Sequence, residues 1–194
     1  MILPPEIFTI VHPYLSLHDI SSLVLTNREV NRWIGMNGVI SEYYLTRQFN
    51  HDELVQVACQ YGYINLLMYL HRIKTTITEY AMPWASHDGH LDIVEFLYSV
   101  GADPTVDNNL AIRWASAEGH LDIVKYLCSV GADPTVQNNC PIKEASGAGH
   151  LDVVKYLHSV GADLTVQNNY PIRSANQGGH YSVVDYLLMN GATL

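Results

Sequence analysis

The sequence contains few cysteines, and they form no recognisable set. Cys59, Cys128 and Cys140 are the only three in 194 residues, and none belongs to a C-x-x-C pair. Their odd number and irregular spacing exclude a disulfide framework and a zinc knuckle. This usage favours a reducing, intracellular setting, so we expect a cytoplasmic protein.

Positive charge and long apolar runs are also scarce. The chain has 10 basic and 19 acidic residues, a net charge of −9, which is unfavourable for gripping a phosphate backbone. No apolar run approaches the ~18 residues of a membrane span. The opening MILPPEIFTIVHPYL carries Glu6 and paired prolines where a signal peptide needs a basic end and an apolar helix. We therefore expect neither nucleic-acid binding, nor membrane insertion, nor secretion.

The sequence also lacks a pattern typical of catalysis. Its glycines are isolated and do not form a phosphate-binding loop. Sets of Ser, His and Asp recur only because the sequence repeats, which scatters them along the chain. We expect no enzyme activity and no cofactor.

What the sequence does contain is an internal repeat. Gly-His recurs every 30 residues, and Gly-Ala follows at a constant distance. Self-similarity at this period indicates a repeat architecture. The Gly-His pairs begin at Gly89, Gly119, Gly149 and Gly179, and the Gly-Ala pairs at Gly101, Gly131, Gly161 and Gly191.

Elementary chemistry predicts the structure of one unit. Residues 111–118 and 120–130 have helical patterns, and Gly119 and Gly131 can end them because glycine accepts positive φ. Turn residues flank a short piece, Thr135-Val136, which we expect to be extended. Each unit buries its apolar face only by stacking on its neighbours. In the second helix the predicted buried face comprises Leu121, Val124, Leu127 and Cys128, and we expect Cys128 to be a buried structural cysteine.

These units resemble ankyrin repeats. CPIKEAS (140–146) and YPIRSAN (170–176) match the family's T-P-L-H-x-A box, and GHLDIVKYL matches its second helix. The resemblance implies an all-α solenoid of helix-turn-helix units that binds other proteins. The period is 30 where the family's is ~33, so the hairpin turns should be short. The box histidine is absent, since its positions hold Pro83, Arg113, Lys143 and Arg173.

The resemblance starts near residue 51 and sets the expected domain organisation. A helical bundle should occupy 1–40, a linking helix 41–50 and the repeat domain 51–194. We expect about five repeats, the first of them degenerate: 51–78, 79–107, 108–137, 138–167 and 168–194.

The N-terminal segment resembles an F-box, a small three-helix bundle. It begins with Leu-Pro, continues with an acidic residue and an aliphatic stripe, and then has Tyr14-Leu15, a turn and Asp19-Ile20. In that family the box binds the Skp adaptor of a cullin–RING ubiquitin ligase. The resemblance therefore implies adaptor-binding residues, which are Leu3, Pro4, Ile7, Ile10, Leu15, Ile20 and Leu23.

The two segments together resemble the F-box/ankyrin proteins encoded by giant DNA viruses of amoebae. That resemblance implies a viral, host-interacting protein of the host cytoplasm, in which the box recruits the ligase and the repeats select a target protein. An alternative stays open. The chain could be a plain binding or blocking module whose N-terminal bundle only caps the stack.

Three repeated features have competing interpretations. The histidines at 90, 120, 150 and 180 suggest a metal site, but stacked helices lie roughly 8–10 Å apart and zinc needs its ligand nitrogens at ~2.0–2.1 Å. Helix starts and inter-repeat hydrogen bonds explain them better, and we expect no metal. The cationic stripe at 113, 143 and 173 could bind an acidic partner or RNA, or it could bridge adjacent repeats or merely solvate the surface. Trp84 and Trp114 could be binding hot spots, or be partly buried against a neighbouring repeat.

Comparison of two units indicates where a partner would bind. Units 108–137 and 138–167 are identical at 21 of 30 positions, and six of the nine differences lie in the first helix and its entry. Because stacking fixes the copied residues, the first helix is free to differ. The resemblance implies that this helix lies on the concave, target-binding side. Our candidates are Trp84, His87, Asp88, Asn109, Arg113, Trp114, Glu118, Lys143, Glu144, Tyr170, Arg173 and Gln177.

The last unit lacks the polar outer face that is typical of a capping repeat. Its second helix carries Tyr181, Val183, Leu188 and Met189 where an end unit usually shows polar residues to water. We expect a monomer in which this edge is available for a contact.

Overall fold

The structure is a computed structural model, and it describes residues 51–194. The predicted F-box bundle and linking helix lie outside the described residues. The described chain divides into two compact units between Thr78 and Glu79, and each is taken by itself below.

The unit that ends at Thr78 contributes two described helices. They span His51–Gln60 and Ile64–Arg72. Gly62 links them with φ of 75°, a left-handed conformation that glycine adopts without strain. The helices bury Leu54, Val55, Ala58, Cys59, Leu66, Leu67 and Leu70. This is the helix pair expected of a degenerate first repeat.

The unit that begins at Glu79 contains four helix pairs. Within residues 51–194 there is no strand, so the expected all-helical repeat structure is confirmed for that part of the chain. The pairs are Ala81–His87 with Leu91–Ser99, Val106–Glu118 with Leu121–Ser129, Val136–Ala148 with Leu151–Ser159, and Val166–Gln177 with Tyr181–Met189.

The loop between repeats differs from the prediction. Thr135-Val136 is not extended, and three consecutive residues, 137–139, adopt left-handed helical φ and ψ. Residues 107–109 and 167–169 do the same. Asparagine tolerates this conformation better than most residues, and each loop ends in Asn-Asn. The right-handed helix then begins at Leu110, Cys140 or Tyr170, and Pro141 and Pro171 occupy its first turn, where proline fits.

An aspartate side chain stabilises each loop by hydrogen bonds to a threonine within the same loop. Asp133 Oδ1 accepts hydrogen bonds from the backbone N–H of Thr135 at 2.8 Å and from its hydroxyl at 2.7 Å. Asp103 and Asp163 make the same pair of bonds to Thr105 and Thr165. The bonds from Thr105 stabilise the ionised carboxylate and lower the pKa of Asp103. The aspartate side chain therefore closes the turn that runs from Asp to Thr at the start of each loop.

The buried face of the second helix also differs from the prediction. Ile123, Val124 and Leu127 are fully buried, whereas Leu121 and Cys128 are half-buried. The helix is thus rotated so that positions i, i+1 and i+4 point inward. Opposite them, the first helices contribute the buried residues Ile112, Ile142 and Ile172.

A ladder of asparagine side chains joins successive repeats. Asn109 Oδ1 accepts the backbone N–H of Asp133 at 2.8 Å, and Asn139 Oδ1 accepts that of Asp163 at 2.8 Å. Asn169 continues the series to the N–H of Thr193 at 3.2 Å. The last residue of each left-handed loop therefore holds the turn of the following repeat.

The C-terminal edge exposes apolar side chains, as expected. Tyr181 is 69% exposed, Leu188 44% and Met189 85%. Val183 was predicted to be exposed at the same edge, but it is fully buried. It occupies the inward-pointing position that Ile123 and Val153 hold in the earlier repeats.

The two loop asparagines of one repeat allow the ladder to be tested. Asn138 and Asn139 are both left-handed, but only Asn139 bonds to the next repeat. Asn139→Ala should therefore lower the free energy of unfolding by about 1 kcal/mol more than Asn138→Ala. Urea denaturation followed by circular dichroism measures both. Equal losses would mean that the inter-repeat bond contributes nothing.

Candidate functional site

The predicted target-binding residues occupy one surface, which we call the first-helix face. It consists of the exposed and half-buried side chains of the first helices in residues 79–194, together with Asp88, which directly follows the helix Ala81–His87. Eleven of the twelve candidates belong to it. Trp84, Arg113, Trp114 and Lys143 are half-buried, and the exposed members are His87, Asp88, Glu118, Glu144, Tyr170, Arg173 and Gln177.

Asn109 does not belong to this face. It is 8% exposed, and its amide oxygen already accepts the backbone N–H of Asp133. We assign it a structural role. The sequence suggested otherwise because asparagine at the entry to a helix looks like a polar surface residue, and its left-handed conformation was not evident.

Aromatic and acidic groups meet where the repeats at 79–107 and 108–137 adjoin. The His87 ring lies edge-on to Trp114, with centroids 5.6 Å apart. His87 Nε2 is 3.6 Å from a Glu118 carboxylate oxygen, and Nδ1 is 3.2 Å from Asp88. Trp84 stands near Tyr80, with centroids 6.2 Å apart. This end of the face combines partly exposed rings with carboxylates.

Two members of the cationic stripe are engaged within the protein. Lys143 Nζ lies 3.4 Å from Gln167 Oε1 and 3.5 Å from the carbonyl of Gln137, and it stands 5.9 Å from the centre of the Tyr170 ring. Arg173 donates to the carbonyl of Gln167 at 3.2 Å. Lys143 therefore bridges to the following loop, whereas the bond of Arg173 is local to its own helix.

Arg113 behaves differently from its two counterparts. Its side chain is half-buried, and its Nε is enclosed without a hydrogen-bond acceptor among the described residues. It also takes part in no ion pair within residues 51–194. The stripe thus contains one guanidinium whose Nε–H has no acceptor among the described residues.

A groove opens on the first-helix face between the repeats at 108–137, 138–167 and 168–194. Its volume is ≈ 510 Å³. Three small residues, Ala117, Gly147 and Ala148, line it, whereas the repeat at 79–107 has the larger His87 and Asp88 at the corresponding positions. The groove is lined by Ala117, Cys140, Lys143, Glu144, Gly147, Ala148, Gln167, Tyr170 and Ser174.

Sequence comparison identified part of this groove. Lys143, Glu144 and Tyr170 were candidates, whereas the small residues were not. The signal was present, because Ala117 becomes Gly147 and Glu118 becomes Ala148 among the nine differences between units. These two differences introduce no functional group, and a smaller side chain at the surface indicates a groove only when its neighbours are known.

The histidine series is structural, as expected. His120 Nε2 lies 2.9 Å from the carbonyl oxygen of His87, and His150 Nε2 lies 2.9 Å from that of Ala117. Each histidine also precedes the first residue of a second helix. Within residues 51–194, no cluster of three or more His, Cys, Asp or Glu side chains could hold a metal ion.

The second helices carry their own inter-repeat contacts, away from the first-helix face. Tyr98 lies edge-on to Tyr126, with centroids 6.2 Å apart, and His158 Nδ1 is 2.8 Å from the hydroxyl of Tyr186. Cys128 and Tyr156 form the equivalent side-chain pair. Each pair joins a residue to the tyrosine 28 positions later, so this surface also serves stacking.

The cysteines show no sign of activation. Burial raises the pKa of the Cys59 thiol to about 12, and burial is also the main cause that raises the pKa of Cys128. A thiol with a raised pKa is a poor nucleophile at neutral pH. Cys140 is buried as well, and its Sγ donates to a Glu144 carboxylate oxygen at 3.6 Å.

None of the helices within residues 51–194 combines the length and the hydrophobicity that crossing a bilayer requires.

Comparison with known families agrees with the geometry. A model of ankyrin repeats in three copies matches residues 54–138, and a model of ankyrin repeats in many copies matches residues 142–188. Together they cover about two thirds of the chain. A search of the curated proteins gives no match. Ankyrin repeats indicate interaction with other proteins, and such proteins are generally non-enzymatic.

Proposed function

Since this chain belongs to the ankyrin-repeat family, we propose that it is a non-enzymatic binding protein that holds a target protein on its first-helix face. The groove carries this proposal. It places a cation, a carboxylate and an aromatic ring around an open volume of ≈ 510 Å³. A few polar groups around a concavity are what a protein needs to select one partner side chain.

The different contacts made by the first and second helices support the same conclusion. On the second helices, aromatic and polar side chains form contacts between repeats, such as Tyr98 with Tyr126 and His158 with Tyr186. The first helices show differing charges and rings at equivalent positions, such as Trp114 and Glu144. Binding energy concentrates in aromatic and arginine side chains, and this face contains both.

A substitution that fills the groove tests the proposal. Ala148 is exposed and lines the groove, so Ala148→Trp should block it without disturbing the core. Ser159→Trp is the matched control, because Ser159 is exposed on a second helix. Proximity labelling in cells should give partners common to wild type and Ser159→Trp, and those partners should fall at least tenfold in Ala148→Trp.

Thermal unfolding of the purified variants provides the necessary check that both remain folded. Partners that stay equally labelled in Ala148→Trp would place target binding elsewhere on the chain.

The finer part of the proposal concerns residues 1–40. They form an F-box that binds the Skp adaptor of a cullin–RING ubiquitin ligase, so that the repeats present their target to the ligase. The support is the order of motif residues, which runs from Leu3-Pro4 through Tyr14-Leu15 to Asp19-Ile20. In the viral setting that the resemblance implies, the adaptor and the target both belong to the host cytoplasm.

The alternative is a plain binding or blocking module in which this segment only ends the stack. Both versions share the first-helix face, and they differ in a single observable, which is whether a Skp adaptor co-purifies with the full chain.

Two residues separate these versions. Leu3 and Pro4 precede the predicted first helix, so changing both to Ala should cost the bundle little while removing an apolar anchor. Burying one aliphatic side chain contributes ~1.5–3 kcal/mol, so the affinity for the adaptor should fall roughly tenfold to a hundredfold. Titration of purified Skp adaptor against the full chain measures this change.

Target labelling should be unaffected in the same double variant. Unchanged adaptor affinity, or a wild type that binds no adaptor, would leave the plain binding module.

A further inference from the structure

Within the proposed function, we infer that one end of the first-helix face binds a basic segment of the target protein. This end is a cluster of one imidazole, one indole and two carboxylates, which we call the aromatic–acidic cluster: His87, Asp88, Trp114 and Glu118. The inference rests on the proposed binding role of the face, and it names the chemistry of the partner as Lys or Arg side chains of a protein.

The four side chains of the cluster meet around the His87 ring. That ring lies edge-on to Trp114, with centroids 5.6 Å apart, and its nitrogens are 3.2 Å from Asp88 and 3.6 Å from Glu118. The place is fixed by the backbone, because the carbonyl oxygen of His87 meets Nε2 of His120 at 2.9 Å. The side chains of His87 and Glu118 are 46% and 47% exposed, so a partner can reach them.

The carboxylates of the cluster lack a permanently charged partner. Within residues 51–194 both form an ion pair only with His87, which is charged only when it is protonated. The 3.6 Å contact to Glu118 is also longer than a good hydrogen bond. Arg113 directly precedes Trp114, yet it pairs with neither carboxylate. When the His87 ring is neutral, both negative charges are therefore uncompensated.

The distribution of charge along the repeats favours the same end of the face. The repeat at 79–107 has six acidic residues and neither Lys nor Arg. The repeats at 108–137 and 138–167 each have three acidic and two basic residues, and the repeat at 168–194 has one of each. Most of the negative charge of the stack thus belongs to the repeat that contributes His87 and Asp88. Such a field attracts a cationic segment and repels an acidic one.

A Lys or Arg side chain matches both parts of the cluster. Its positive charge would pair with Asp88 and Glu118, and a cation is also attracted to the indole ring of a tryptophan. Arginine fits best, because its planar guanidinium stacks on aromatic rings and can hold both oxygens of one carboxylate. Trp114 is half-buried, so part of its ring is available for such a contact.

Peptide binding tests the inference. A displayed library of random 12-residue peptides is selected on the full chain at about 0.15 M salt, where charges more than ~8 Å apart are largely screened. The selected peptides should be enriched in Arg and Lys. For a synthetic selected peptide, fluorescence anisotropy should show roughly a tenfold loss of affinity in Glu118→Gln.

Glu95→Gln is the matched control for this variant. Glu95 is exposed on the second helix of the repeat at 79–107, so both changes remove one carboxylate and alter the net charge equally. Glu95→Gln should lower the affinity less than about threefold, because that carboxylate lies outside the cluster. Thermal unfolding should give both variants the melting temperature of the wild type. A clear loss of stability in Glu118→Gln would show that Glu118 supports the fold, and it would overturn the inference.

The outcomes separate this inference from the proposed function. Selected peptides without basic enrichment, or peptides that bind Glu118→Gln as tightly as Glu95→Gln, would refute the basic partner. If those peptides lose affinity in Ala148→Trp, the binding face remains. Tighter, Glu118-dependent binding of spermine would assign the cluster to a small polyamine and also refute the inference. Peptides that bind both Glu118→Gln and Ala148→Trp as well as wild type, or a selection that yields none, would count against both.

Discussion

Hydrogen bonds between successive repeats are the constraint on which the rest of the structure depends. A histidine Nε2 meets a carbonyl oxygen 33 residues earlier, and an asparagine side chain accepts a backbone N–H 24 residues later. Each bond contributes only about 1 kcal/mol. Their value lies in register, because they hold each helix pair at one position on its neighbour and let the aliphatic residues interlock.

This constraint determines where variation is tolerated. The second helices and loops carry the bonded residues, so they are nearly copies of one another. The first helices fix only their inward residues, such as Ile112 and Ile142, and their outer positions differ in charge and volume. Gly147 and Ala148, which line the groove, stand where the repeat at 108–137 has Ala117 and Glu118. The residues of the inter-repeat bonds are thus mostly distinct from the proposed binding residues, and Lys143 belongs to both sets.

Periodicity predicted the helices and their glycine ends because both depend on local backbone preferences. It missed the left-handed loops, since Asn-Asn indicates a turn without specifying three consecutive left-handed residues. It also misassigned Asn109, whose role depends on a backbone N–H in the next repeat. The surroundings of the cationic stripe were not predictable either, because they depend on residues far away in the sequence. Lys143 contacts Gln167, 24 residues later, whereas Arg113 Nε has no acceptor among the described residues. Local signals predict elements, whereas contacts between repeats decide the site.

Deleting residues 108–137 tests the central claim most directly. The deletion joins Asp107 to Asn138, which preserves the left-handed loop and brings His150 to the position of His120 opposite the carbonyl of His87. Urea unfolding should remain a single cooperative transition with a lower midpoint and a smaller m-value, because stability sums over repeats and their interfaces. Deleting 108–138 shortens the loop by one residue and should be less stable still. A shallow, non-cooperative transition in the 30-residue deletion, or stability equal to that of the full chain, would contradict the account.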